Sequence, residues 1–482
     1  MRKAGLLLAI SSLPSKYGVG DFGGKAFEFI DFISDTGIKI WQILPLNPLG
    51  YGNSPYQPYS SKALDELYID LDEFVECGWI QCDDLPDFKT SSVDYQRARE
   101  YKVKKIKEAF YHFEKTPDYL AFIQEDWVYD YAVFISLKKQ NEMRPWYEWS
   151  KEESAWIYDK QYDISHLEQE IELEMFIQYM LLKQWKKLCA YAKSKGIKIM
   201  GDIPFYVGRD SLDVWSNQNC FLLDEDYVPT FVAGVPPDYF SVTGQRWGNP
   251  IYDWDYLIGT DFNFWVDRME YASKLYDIVR IDHFRAFETY WKIPASCETA
   301  MEGEWIEAPG KLFFDYLLKK HPDMQIIAED LGLPRKEVYE LRDHFNFKGM
   351  KIVQFTFDPN ETNNNFEDRV NMIIYTGTHD NQTIKGWFDS LEKDVQIEVQ
   401  RLLKIEGYEA KNIVDDFCCF TLSSIAEIAI LPMQDVLGLD DYARMNTPGT
   451  IGSPNWEWKL QDFNELFMQR EKLRGWIKTT NR

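Results

Sequence analysis

Residues 276–285 read Tyr276-Asp277-Ile278-Val279-Arg280-Ile281-Asp282-His283-Phe284-Arg285, a short apolar run that ends in charged and hydrogen-bonding side chains. Two later stretches repeat the pattern: Met324-Gln325-Ile326-Ile327-Ala328-Glu329-Asp330, and Ile373-Ile374-Tyr375-Thr376-Gly377-Thr378-His379-Asp380-Asn381. Near-continuous apolar runs of this length predict strands buried on both faces, as in a parallel sheet. Carboxylates at the C-terminal ends of several such strands predict a β/α barrel, because that fold gathers groups from different strand ends at one face. Alternate residues of a strand share a side, so Arg280 is expected beside Asp282, and Asp330 is expected to face away from Glu329.

Working outward, the same reading finds strands at 5–10, 38–44, 197–203, 277–282, 325–329, 351–356, 372–377 and 428–433. An internal echo supports it: Gly-Ile-Lys-Ile occurs at 37–40 and again at 196–199, each time after a helical pattern. In the first, Ala26, Phe29, Ile30 and Ile33 form an apolar stripe at helical spacing and Gly37 is the stop signal. Helical patterns at 311–320, 335–345, 383–404 and 463–478 continue the alternation. Eight strand–helix repeats predict an α/β fold, a closed TIM (β/α)8 barrel without a C-terminal β-domain, rather than an open doubly wound sheet. The whole of 1–482 is expected to be one catalytic unit. Residues 70–175 are a mainly helical insertion between strands two and three, and 205–275 a loop-rich insertion lining the site. Residues 290–294 are assigned to the loop after strand four.

Composition narrows the partners. The formal net charge of -25 sets an unfavourable field for nucleic acid and for anionic membranes, and favours a neutral or cationic small partner. Seven cysteines show no CxxC spacing and read as reduced thiols of a cytoplasmic protein. The apolar stretch behind Arg2 and Lys3 is too short for a signal peptide core and reads as the first strand. No apolar run is long enough to span a bilayer. The six histidines form no metal-binding pair, and there is no Gly-rich dinucleotide or phosphate loop, so neither metal nor cofactor is expected.

Two carboxylates suffice to cleave a glycosidic bond, one as acid and one as nucleophile or base. Arg280 is expected to keep Asp282 ionised, and Glu329 needs a raised pKa to serve as the acid. Each motif alone also admits a structural reading: an Arg/Asp pair at a strand end, an acidic strand terminus, a helix cap at His379-Asp380-Asn381. Their recurrence favours chemistry. Two Gly- and aromatic-rich loops, 49–60 and 233–250, have the composition of sugar clamps, with glycines admitting a ligand and Tyr and Trp offering flat faces.

Taken in order, several motifs resemble glycoside hydrolase family 77, the 4-α-glucanotransferases or amylomaltases. They are Ser12-Leu13-Pro14-Ser15-Lys16-Tyr17-Gly18, Trp41-Gln42-Ile43-Leu44-Pro45-Leu46, Gly52-Asn53-Ser54-Pro55-Tyr56-Gln57, Gly201-Asp202-Ile203-Pro204-Phe205-Tyr206-Val207, Gly234-Val235-Pro236-Pro237-Asp238-Tyr239-Phe240 and Gly244-Gln245-Arg246-Trp247-Gly248-Asn249-Pro250, followed by the three carboxylate motifs and Asn446-Thr447-Pro448-Gly449. The resemblance implies Asp282 as nucleophile, Glu329 as acid/base and Asp380 as transition-state stabiliser. It further implies substrate contacts from Arg280, His283, His379, Asp202, Ser54, Tyr56, Asp238, Tyr239, Phe240 and Trp247. The implied substrates are maltooligosaccharides and other α-1,4-glucans. Three places depart from the family pattern: Ala286, residues 63–68 and Gln382. A hydrolytic α-glucanase on the same scaffold and a non-catalytic glucan-binding protein are the alternatives.

Overall fold

In a computed structural model the described residues are 2–82, 84–88, 91–237, 241–332, 335–358 and 368–482. Eight parallel strands form the centre: β1 Lys3–Leu7, β2 Ile40–Gln42, β3 Lys198–Ile203, β4 Ile278–Ile281, β5 Ile326–Ala328, β6 Gly349–Ile352, β7 Met372–Tyr375 and β8 Ile428–Pro432. The hydrogen-bonded order runs from β6 through β7, β8, β1, β2, β3 and β4 to β5, and a parallel bridge from Ile327 to Lys348 closes the ring. This is the TIM barrel the apolar runs predict. Its strands are almost wholly buried, with β2, β4, β5, β7 and β8 hidden at every position.

The helix–glycine–strand units form as read. Helix α1, Gly24–Thr36, buries Ala26, Phe29, Ile30, Phe32 and Ile33 and ends at Gly37, whose φ of +90° lets its N–H cap the carbonyls of Ile33 and Ser34. The strands are shorter than the apolar runs because the chain leaves the ladder early to build loops. Beyond Ile352 the expected strand gives way to helix Val353–Phe357, and 383–404 splits into helices Ile384–Ser390 and Lys393–Ile405. Residues 290–294 are not loop. Strand Thr289–Pro294 pairs with Phe231–Val235 and Glu304–Glu307, and Gln245–Pro250 completes a four-stranded antiparallel sheet beside the barrel mouth. The segment 205–275 is likewise more regular than its composition suggests, contributing two of those strands and the 13-residue helix Asn263–Leu275. Among the described residues no β-domain follows β8; the chain continues into helices Asn464–Met468 and Arg470–Thr480, the last packed on α1.

Among the described residues, six α-helices lie between β2 and β3, from Leu71–Glu76 to the 27-residue Glu168–Ser194. They buttress the loop after β2. Arg99 donates to Asp65 at 3.0 Å and also pairs with Glu66, while Asp65 accepts the Leu49 N–H at 2.8 Å. Gln178 bonds both backbone groups of Leu64 at 2.9 Å. Asp65 and Glu66 belong to the segment that departs from the family pattern, and here they anchor the insertion through Arg99.

Around β5 the alternation of faces separates two adjacent acids. Asp330 turns under the barrel wall, where it accepts from Arg342 at 2.5 Å and from the Met350 N–H at 2.8 Å. Both side chains of that pair are at most 4% exposed. Removing one partner of a buried pair strands the other charge, so Asp330→Ala is expected to cost roughly 3–5 kcal/mol of stability. The check is the thermal midpoint of Asp330→Ala beside Glu329→Gln. Equal midpoints would show that the Asp330–Arg342 pair does not hold the wall.

Candidate active site

The strand ladders run one residue past β4 and β5 and fix the backbone of both catalytic candidates. The Asp282 N–H donates to Ile203 O at 3.0 Å, and the Glu329 N–H to Ile281 O at 3.1 Å. Asp282, Glu329 and Asp380 thus follow β4, β5 and β7, and Asp202 stands near the end of β3. Arg280 and Asp202 are paired in register across β4 and β3.

Arg280 ties this cluster together. Its Nη1 donates to Asp202 Oδ2 at 2.5 Å and its Nη2 to Asp282 Oδ1 at 3.1 Å. Asp202 Oδ2 also accepts from the Tyr56 hydroxyl at 2.7 Å, and the Tyr56 ring stacks on His379 with centroids 5.0 Å apart. The Ser54 hydroxyl accepts the Tyr56 N–H at 3.3 Å, shaping the loop that delivers the tyrosine. Glu329 accepts two backbone N–H groups, from His283 at 2.8 Å and Leu331 at 3.0 Å. His283 adopts a left-handed φ of +55° to make that bond, backbone strain of the kind concentrated at functional sites.

Asp380 is held from β8. Asn446 Nδ2 donates to its carboxylate at 2.6 Å, and Arg444 donates to its carbonyl at 2.6 Å. Asn381 accepts the Thr378 N–H at 2.8 Å and closes the same turn. Asn446 lay in a motif quoted from the sequence but was assigned no role, and Arg444 was missed. Gln382, a departure from the family pattern, donates to Asp441 at 2.5 Å and supports the base of the loop. Trp247 stands on the antiparallel sheet with its ring edge-on to His283, centroids 4.9 Å apart, and near Tyr206 at 6.2 Å. Asp238, Tyr239 and Phe240 lie outside the described residues.

Electrostatics departs from expectation at one point. Burial pushes the Asp282 carboxyl well above the usual carboxylate range; Arg280 opposes this, while Asp202, Glu329 and Asp380 add to it. Arg280 does not hold Asp282 low because it is shared with Asp202, and three other carboxylates crowd the same space. Burial also raises Glu329, against Arg280 and the two N–H groups that favour its ionised form. Carboxylates so crowded retain a proton that isolated ones would lose. His283 is pushed down to about 4, by burial first and Arg285 second, and burial lowers His379 as well, so both rings are neutral near pH 7. Neutral imidazoles both donate and accept, which suits sugar hydroxyls. Among the described residues no group of three His, Cys, Asp or Glu side chains is arranged to hold a metal ion.

Comparison with known proteins shows the family. The profile of glycoside hydrolase family 77, described as 4-alpha-glucanotransferase, matches residues 8–465. The chain is 44% identical over 478 residues to a 4-alpha-glucanotransferase of Synechocystis sp., covering 95% of this chain and 94% of the relative. Against the Thermus thermophilus 4-alpha-glucanotransferase it is 42% identical, covering 95% of each. Among solved structures it superimposes on an amylomaltase from Streptococcus agalactiae in complex with acarbose with a TM-score of 0.94 at 35% identity, covering 100% of both chains.

The crowding of charge gives a signed expectation. Asp202→Asn removes one of the charges that raise Asp282 and frees Arg280 for it, so Asp282 ionises at lower pH. The acid limb of kcat/KM is therefore expected to move to lower pH in this variant, even as kcat falls. A limb that moved upward would show that Asp202 chiefly steers Arg280 onto Asp282.

Proposed function

The chain belongs to glycoside hydrolase family 77 and is a 4-alpha-glucanotransferase acting on α-1,4-glucans; we propose that it works by retaining double displacement, with Asp282 as nucleophile, Glu329 as acid and base, and Asp380 as stabiliser of the transition state. The observation that carries this assignment is Arg280 bonded to Asp282 while the next backbone N–H, that of His283, holds Glu329. In the first step the Glu329 proton passes to the glycosidic oxygen. An Asp282 oxygen bonds to the anomeric carbon as the bond to the leaving glucan breaks. In the second, the 4-hydroxyl of an acceptor gives its proton to Glu329 and displaces Asp282, restoring the original anomeric configuration.

The remaining residues act on binding. Tyr56, Asp202, Arg280 and His379 form one bonded wall suited to the transferred glucose, with Ser54 shaping its loop and His283 at the acid/base. Asp238, Tyr239, Phe240 and Trp247 would contact glucan in the donor and acceptor cleft. The substrates would be maltooligosaccharides and longer α-1,4-glucans. The charge of -25 argues against nucleic acid and anionic membrane as partners, and among the described residues no helix is long and apolar enough to cross a membrane. The unpaired thiols are compatible with a cytoplasmic setting.

Incubation with maltotriose tests the reading, since a transferase yields glucose and a ladder of longer glucans whereas a hydrolase yields only shorter sugars. Asp282→Asn is expected to remove almost all activity and Glu329→Gln to slow transfer and hydrolysis together; wild-type turnover in either would reject the assignment. In a crystal structure the two carboxyl groups should stand roughly 5–5.5 Å apart, and a separation near 9 Å would indicate inversion.

Trp247 separates transfer from hydrolysis. Loss of its ring should weaken a bound acceptor glucose by ~1–2 kcal/mol, roughly tenfold, while water needs no stacking surface. Trp247→Ala is thus expected to lower the ratio of disproportionation to net reducing-end formation. Parallel losses in both would place the residue on the donor side or in the scaffold.

A further inference from the structure

Beneath the carboxylates, four buried polar atoms have no hydrogen-bond partner in the protein: Gln42 Oε1, Asp202 Oδ1, Arg280 Nε and Tyr375 Oη. They come from the C-terminal parts of β2, β3, β4 and β7, and none of the four residues is more than 4% exposed. Asp202 and Arg280 are register partners. The Tyr375 hydroxyl lies near enough to Gln42, Arg280 and Asp202 for each to act on its ionisation, yet its approach to Gln42 is not a hydrogen bond of ordinary geometry. Three of the four come from the adjacent strands β2, β3 and β4, and Tyr375 on β7 is influenced by all three, so a single site between them could serve all four.

Their chemistry specifies what fills it. Asp202 Oδ1 and Gln42 Oε1 accept, Arg280 Nε donates, and the Tyr375 hydroxyl is free to donate. Two acceptors and two donors are the complement of one water molecule. A monatomic cation would meet the Arg280 guanidinium and an anion the Asp202 carboxylate, whereas water satisfies all four. Buried polar atoms in folded proteins are almost always partnered, and water is the usual partner where side chains leave a gap.

We propose that a structural water bound by Gln42, Asp202, Arg280 and Tyr375 lies under the nucleophile and fixes the plane of the Arg280 guanidinium. Arg280 would then be held at three nitrogens: Nη1 on Asp202, Nη2 on Asp282 and Nε on the water. Gln42 and Tyr375 are positioning residues that touch neither substrate nor the reacting atoms and act through the guanidinium on the orientation of Asp282. The kinetic part rests on Asp282 being the nucleophile; the water site itself does not.

The test uses the full chain. A high-resolution crystal structure is expected to show an ordered water with contacts of about 2.7–3.2 Å to the four atoms, absent in Tyr375→Phe. With maltotriose, Tyr375→Phe is expected to lower kcat roughly tenfold, the scale of one lost hydrogen bond to a charged group, with KM within about twofold, because no sugar contact is removed. Gln42→Met should act alike. The double variant should fall no further than the poorer single one, since both empty the same site. Losses that multiply, an unchanged kcat, a missing water, or a direct bond from Tyr375 to a protein group would each overturn the proposal. Thermal midpoints confirm folding, and if Tyr375→Phe does not fold, Gln42→Met and the wild-type structure decide. An active Asp282→Asn would reject the nucleophile while leaving the crystallographic water as evidence for the site.

Discussion

The site depends on one guanidinium placed among carboxylates. Arg280 reaches Asp202 on one side and Asp282 on the other from the inner face of β4, and its register with Asp202 is set by β3–β4 pairing. Without such a cation, four carboxylates converging on the same face would be driven apart or protonated, since like charges in a space of low dielectric repel strongly. The barrel makes the convergence unavoidable: parallel strands end on one side, so every residue at a strand end is delivered to the same mouth.

The same crowding sets the protonation at the site. Glu329 keeps its proton more readily than a free carboxylate because it is buried, and Asp282 is raised along with it. Two carboxyl groups in one pocket titrate as a pair, so the pair and not either residue holds the proton. Both carboxyl groups stand on backbones fixed by the strand ladder.

Loops complete what the strands begin, and each is braced from outside. The helices between β2 and β3 grip the segment around Leu64 and Asp65 through Gln178 and Arg99, and thereby steady the loop carrying Tyr56. Arg444 and Asn446, after β8, hold Asp380. The antiparallel sheet carries Trp247 to the ring of His283. Bracing of this kind keeps loop residues near one geometry.

The sequence by itself determined the barrel. Eight apolar runs alternating with helical patterns are legible because burial on both faces leaves a continuous apolar signal, and glycines such as Gly37 mark the stops. It also located the carboxylates and, through strand alternation, predicted that Glu329 and Asp330 part to opposite faces, as they do. Tertiary structure alone decided the rest. The antiparallel sheet was hidden because 231–250 carries Gly and Pro among its apolar residues, so its strands read as loop. The braces Arg444, Asn446, Arg99 and Gln178 were silent because a polar residue with a distant partner has no local periodicity. Whether Arg280 lowers Asp282 could not be read from their spacing: the answer turns on Asp202, Glu329 and Asp380, remote in sequence, and on the burial that only the closed barrel creates.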